Sequence, residues 1–217
     1  MDINKSVFSA LGSRYVLKER NMHDLAEIKK GVYRFTCKAY VIEGVGNLFL
    51  LDGAAMFGAM RLQTCVITPE KKDLSFCNFD TVNAMGKFTG LFEMYKSSLN
   101  EADLSVFDEV KAEYKDLPDY KAGSGWADSW KLPSCIGKQG KKIEDRTEKM
   151  LMDCLVCYMD LLESAPECDP KAKEAETWKY VSKLLSEGGP AVDKMKEILG
   201  KEAAAKLVRK YMFGIGD

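Results

Sequence analysis

Two short polar breaks fix most of what this chain can become. Gly44-Val45-Gly46-Asn47 and Pro69-Glu70-Lys71-Lys72-Asp73 each separate runs rich in β-branched and aromatic residues. Strands joined by so short a loop must run antiparallel, because a parallel pair needs a crossover of about a dozen residues or more. The runs are 32–42 (with Val32, Tyr33, Phe35, Thr36, Tyr40 and Val41), 48–51, 57–68 and 74–79. In the third, Met60, Leu62 and Thr64 alternate with Arg61, Gln63 and Cys65, which puts the first three on one face.

Helical patterns flank this centre. Gly31 ends a helix predicted over 22–30. Residues 82–99 carry Met85, Phe88, Leu91, Phe92 and Tyr95 at helical spacing. Asn100 reads as the cap of a helix over 101–114, with Asp103 in its first turn. A helix is predicted over 143–165, and Asp169 and Pro170 supply the N-cap and first position of the next. Gly188-Gly189-Pro190 separates that helix from 191–199, and Gly200 separates 191–199 from 202–211. Antiparallel strands between sequence-segregated helices give an α+β chain: one domain over 1–217, an α/β/α sandwich with a central antiparallel sheet flanked by helices. Residues 117–142 form the longest irregular stretch, with Trp126 and Trp130 inside it. Such a loop either folds over a site or is pinned by its tryptophans for stability.

Bulk properties narrow the function classes. Lys and Arg (32) nearly cancel Asp and Glu (33), so no chain-wide field recruits nucleic acid or an anionic membrane. No apolar run approaches the roughly 18 residues needed to span a bilayer. The opening residues lack the basic-then-apolar pattern of a secretory signal, and a cytoplasmic location is expected. An odd cysteine count of 7, with Cys37, Cys65, Cys154 and Cys157 inside apolar patterns, reads as buried free thiols. Cys154 and Cys157 have redox or metal spacing. They lie mid-helix, and His23 is the only histidine, so packing is the reading and no metal is expected. Cys168 is the thiol expected to be most exposed.

Few residues suggest chemistry by themselves. Gly44-Val45-Gly46 lacks the helix and third glycine of a dinucleotide loop. Asp153 and Asp160, two helical turns or about 10 Å apart, read as a solvated stripe rather than a coupled pair. Asp52 and Asp80 each end a predicted strand, where either a general acid or a turn-former fits.

Several segments in order resemble one family. Ala55-Met56-Phe57-Gly58-Ala59-Met60 is similar to the segment in ferredoxin-dependent bilin reductases where Phe-Gly, a small residue and an aspartate lead into a strand. Trp130-Lys131-Leu132-Pro133 stands where that family enters its long helix, and residues 158–166 look like that helix's end. Residues 180–213 look like its closing helices and terminal aromatic. The resemblance spans residues 30–213. It implies a bilin or similar conjugated ligand lying between the face bearing Phe57, Met60, Leu62 and Thr64 and the C-terminal helices. It further implies no tightly bound cofactor, with ferredoxin or flavodoxin supplying electrons from outside.

The same resemblance exposes two departures. Met60 stands where the family keeps its strand aspartate, and Gly188-Gly189 where it keeps a second acid. Neither can donate a proton. Asp80, Asp52 and Glu187 are then the candidate acids. Two readings stand at this level: a reductase of a bilin-like compound with a substitute acid, or a non-catalytic carrier that keeps the pocket.

Overall fold

The Gly44-to-Asn47 break is a tight turn between two long strands. β3 (Tyr33–Ile42) pairs with β4 (Gly46–Ala55), and β4 pairs with β5 (Met60–Pro69) over its whole length. In this computed structural model, which describes residues 2–121 and 123–216, they form the middle of an eight-stranded antiparallel sheet. β6 (Cys77–Ala84), β7 (Lys87–Met94) and β8 (Ile136–Gly140) continue it on one side. On the other edge, β1 (Leu17–Arg20) and β2 (Glu27–Lys30) both pair with β3. Met1 and Asp217, the ends of the expected domain, lie outside the described residues.

Strand alternation divides the core in two. Tyr40, Ile42, Leu48, Leu50, Cys65, Ile67, Phe79 and Phe92 face α1 (Ile3–Gly12), α2 (Val106–Glu113) and α3 (Glu144–Ser164). Phe35, Cys37, Phe49, Leu51, Val66 and Phe76 face α4 (Pro170–Glu187), α5 (Pro190–Leu199), α6 (Lys201–Lys206) and the closing segment. The expected α/β/α sandwich is the architecture found. Each fully buried large apolar side chain contributes about 1.5–3 kcal/mol, so the two layers hold the sheet from both sides. Gly90 lets α3 approach closely: a Cβ there would lie 2.4 Å from the Thr147 methyl. Among the described residues no helix is long and apolar enough to cross a membrane.

Two predicted helices are strands or turns. Residues 22–30 form a short 3-10 turn, His23–Leu25, and then β2. Residues 82–99 form the end of β6, a turn at Met85 and Gly86, and β7. Phe92 and Met94 are buried against the α3 layer, Phe88 is buried on the same face of the strand, and Tyr95 is buried on the other side. A strand covered on both faces loses simple alternation, and its apolar positions then also fit a helical stripe. The helix expected from residue 101 begins only at Val106, and Asn100 instead donates to Asp73. α1, not anticipated, is capped by Asp2 and buries Ile3, Val7 and Leu11 at helical spacing. The C-terminal helices lie close to expectation, with Asp169 capping α4 through the Ala172 N–H.

The tail is tied down by the middle of the sheet. Asn47 Nδ2 donates to the carbonyls of Tyr211 (2.9 Å) and Met212 (3.1 Å), and Arg20 donates to the Lys210 carbonyl (2.9 Å). The last helical turns, Leu207–Met212, are wound as a π-helix, and Phe213 follows them into the core.

Two hairpins end in unusual turns. Met56 (φ 51°), Phe57 (φ 56°) and Met85 (φ 53°) have left-handed backbones, which cost a residue with a Cβ about 1–2 kcal/mol.

Candidate functional site

Register brings Asp80 and Thr64 together. They are direct partners on β6 and β5, and both point to the α4–α6 face. Thr64 Oγ1 donates to Asp80 Oδ1 at 2.5 Å, and Asn78 Nδ2 donates to Asp80 Oδ2 at 2.5 Å. Desolvation pushes the Asp80 carboxyl up from 3.8 to about 6, against the lowering effect of the Thr64 hydrogen bond, and the nearby Glu93 charge adds to the rise. Asn78 Oδ1 is buried without a hydrogen-bond partner.

These residues floor a cleft of about 160 Å³. Its roof is Tyr180 and Leu184 of α4, Gly189, Ala191 and Val192 at the start of α5, and Met212 and Phe213 of the tail. Phe76 and Tyr95 close one side. Phe76 lies 5.4 Å from Tyr95, 4.9 Å from Tyr180 and 5.1 Å from Phe213, ring centre to ring centre. Trp126 and Trp130 of the long loop pack against Tyr180 at 5.3 Å (tilted) and 5.8 Å (edge-on), and Trp126 Nε1 donates to the Gly188 carbonyl at 2.9 Å. The loop therefore braces Tyr180 from behind, without lining the cleft itself. Tyr95 donates to Glu93 Oε2 (2.6 Å), and Lys131 pairs with Glu93 Oε1 (2.8 Å), so a polar chain leads outward. Burial pushes the Tyr95 and Tyr180 hydroxyls well above the ordinary tyrosine range.

The other candidates fall elsewhere. Met60 and Leu62 are half-buried on the same face as Thr64, nearer the start of β5 and outside the cleft lining. Phe57 is 97% exposed at the β4–β5 turn and touches no part of the cleft. Asp52 pairs with Gln63, one position from Thr64, and parity turns it to the opposite face. There it is exposed, accepts from Gln63 Nε2 at 2.6 Å and lines a separate polar groove of about 570 Å³. Asp52 cannot serve as acid in the Asp80 cleft. Glu187 is exposed at the end of α4 and does not line the cleft. At the adjacent Gly188 a Cβ would lie 2.4 Å from Asp193 Oδ1, so the Asp193 carboxylate fills that space.

Sequence reasoning missed Asn78, Glu93, Tyr95 and Tyr180 as a group. Assigning Tyr95 to a helix hid its place beside the β6 residues. Among the described residues no cluster of His, Cys, Asp and Glu could hold a metal ion. All seven cysteines are free, with Cys154 buried and Cys157, Cys168 and Cys135 half-buried.

No protein-family model and no curated protein matches this sequence. Solved structures do match. Phytochromobilin synthase from tomato, solved in complex with biliverdin, superposes with a TM-score of 0.77 at 10% identity. The match covers 97% of this chain and 81% of that one. The chain shares the fold of phytochromobilin synthase. At 10% identity the likeness concerns the fold alone, and it is the fold the sequence resemblance implied.

Proposed function

We propose that the chain binds a linear tetrapyrrole, or a similar conjugated compound, in the Asp80 cleft and reduces it. Single electrons come from an external ferredoxin or flavodoxin, and no cofactor is held tightly. The observation that carries this reading is Asp80, a desolvated carboxyl near 6 on the face covered by the C-terminal helices. A group titrating near working pH suits general acid catalysis. As an electron reaches the ligand, the Asp80 carboxylic acid gives up its proton and becomes the carboxylate that Thr64 and Asn78 hold. The chain Tyr95–Glu93–Lys131 supports proton return from outside. The unpartnered Asn78 Oδ1 suits a pyrrole N–H.

The cleft is smaller than the roughly 300–1,000 Å³ of most ligand sites. The ligand therefore enters by displacing α5, which is bounded by Gly188-Gly189 and by Gly200 and packs on the core through Val192 and Met195, with Ile198 and Leu199 half-buried beside them. Seven free thiols support a cytoplasmic location for such a protein.

A carrier without turnover is the second reading, favoured by Met60 and Gly188 standing where the family keeps its acids. Biliverdin titration followed by addition of a reduced ferredoxin system tests both. A spectral shift on binding that then changes only with reduced ferredoxin supports the reductase. A binding shift with no later change supports the carrier.

A further inference from the structure

One end of the sheet carries three turns side by side: Gly31-Val32, Met56 to Ala59, and Met85-Gly86. The pairings Arg34↔Ala54, Ala54↔Arg61, Arg61↔Asn83 and Phe88↔Gly140 bring them to the same end. Met56 is 62% exposed, Phe57 97% and Met85 94%. These three also hold left-handed backbones, where glycine or asparagine is the ordinary choice. Large apolar side chains that pack against nothing, in positions that disfavour them, point to a role outside the fold.

The rim of the same end is cationic. Arg34, Arg61, Lys87, Lys141 and Lys142 are all exposed, and no hydrogen bond or ion pair engages them among the described residues. The carboxylates here are Glu144 and Asp145 at the start of α3, together with Asp2, Asp52 and Glu148, which line the same polar groove as Arg34 and Arg61 further from the turns; Glu144 already accepts from Asn83 Nδ2 at 2.9 Å.

We propose that this end of the sheet docks on an anionic lipid surface. Phe57, Met56 and Met85 enter the headgroup boundary, and the five cations meet the phosphates around them. The shape selects a bilayer. The apolar residues stand on separate projecting turns rather than on one flat face, and the cations spread across the β3-to-β8 width, roughly 24 Å, rather than converging on one small anion. Apolar tips combined with a basic rim bind interfaces through both terms together. This inference does not depend on the reading of the Asp80 cleft.

Co-sedimentation of the full chain with vesicles tests it. Phosphatidylcholine vesicles containing about 30% phosphatidylglycerol should pellet the protein, and pure phosphatidylcholine should do so about tenfold less well. Raising NaCl from about 0.05 M to about 0.5 M should weaken the binding. The double variant Phe57→Asn/Met85→Asn, whose asparagines accept the left-handed backbone, should bind about tenfold more weakly with a melting temperature no lower than the parent's. Absence of pelleting with anionic vesicles at low salt would overturn the proposal, as would undiminished binding by the double variant. Light scattering that finds a dimer abolished by the double variant would assign the tips to a second copy and overturn it too.

Discussion

Thr64 and Asp80 sit opposite each other on β5 and β6, and the threonine hydroxyl donates to the carboxylate at 2.5 Å. That bond stabilises the ionised acid while desolvation opposes it, and the balance leaves the carboxyl near 6. Removing either partner should move this balance in a defined direction.

Replacing the acid should stabilise the fold only above acid pH. The folded Asp80 titrates at about 6 against an ordinary 3.8, so between those values the folded chain holds more protons than the unfolded one. Its stability therefore falls as pH rises through that window. Asp80→Asn should be more stable than the parent at pH 7 by about 1–3 kcal/mol, with the gap closing below about pH 4. Urea unfolding at several pH values reads this directly; a gap independent of pH would count against the desolvated carboxyl.

Thr64→Val removes a donor to the carboxylate and leaves the volume nearly unchanged. The Asp80 carboxyl should rise further, and the alkaline limb of the pH–rate profile for biliverdin reduction should move up by about one pH unit. An unmoved limb would mean that another group sets it.

Trp126→Phe deletes the donor that ties the loop to the Gly188 carbonyl at the start of α5. If α5 must swing for the ligand to enter, stopped-flow association with biliverdin should be faster in the variant, by about threefold to tenfold for one lost hydrogen bond. Equal rates would place the entry route elsewhere.

Lys173 supplies an independent check on the α4 layer. It is buried, donates to the Ser97 carbonyl at 2.7 Å, and burial depresses its amine from 10.5 to about 8. Between those values the unfolded chain holds more protons, so this group makes stability rise with pH across the window. Lys173→Met should be more stable at pH 7 by about 1–3 kcal/mol, with the gap shrinking from about pH 8 to pH 10.5. A constant gap would contradict the buried amine.

The sequence made the layers legible where local chemistry and tertiary context agree. Asp169 and Pro170 start α4 because cap and ring both suit that position, and the Gly44-to-Asn47 turn forces β3 and β4 antiparallel. It misled where a strand is buried on both faces: Phe88, Leu91, Phe92 and Tyr95 fit a helical stripe as well as β7. The site suffered from the same error. With 82–99 taken as a helix, Glu93 and Tyr95 could not be set beside Asp80, although the alternation of β5 did put Thr64 on one face with Met60 and Leu62, the face the family resemblance set against the C-terminal helices. Asp52 and Asp80 look alike in sequence, and only the register separates them by one position of parity. The cation rim was invisible because Arg34, Arg61, Lys87 and Lys141 gather only when the strands do.

The most direct test of the account compares parent and Asp80→Asn in one absorbance experiment, biliverdin first and a reduced ferredoxin system second. The account predicts that both proteins shift the biliverdin spectrum on binding, that the parent then converts it only when reduced ferredoxin is present, and that Asp80→Asn binds but converts about a hundredfold more slowly or not at all. Conversion by Asp80→Asn at the parent's rate would contradict it.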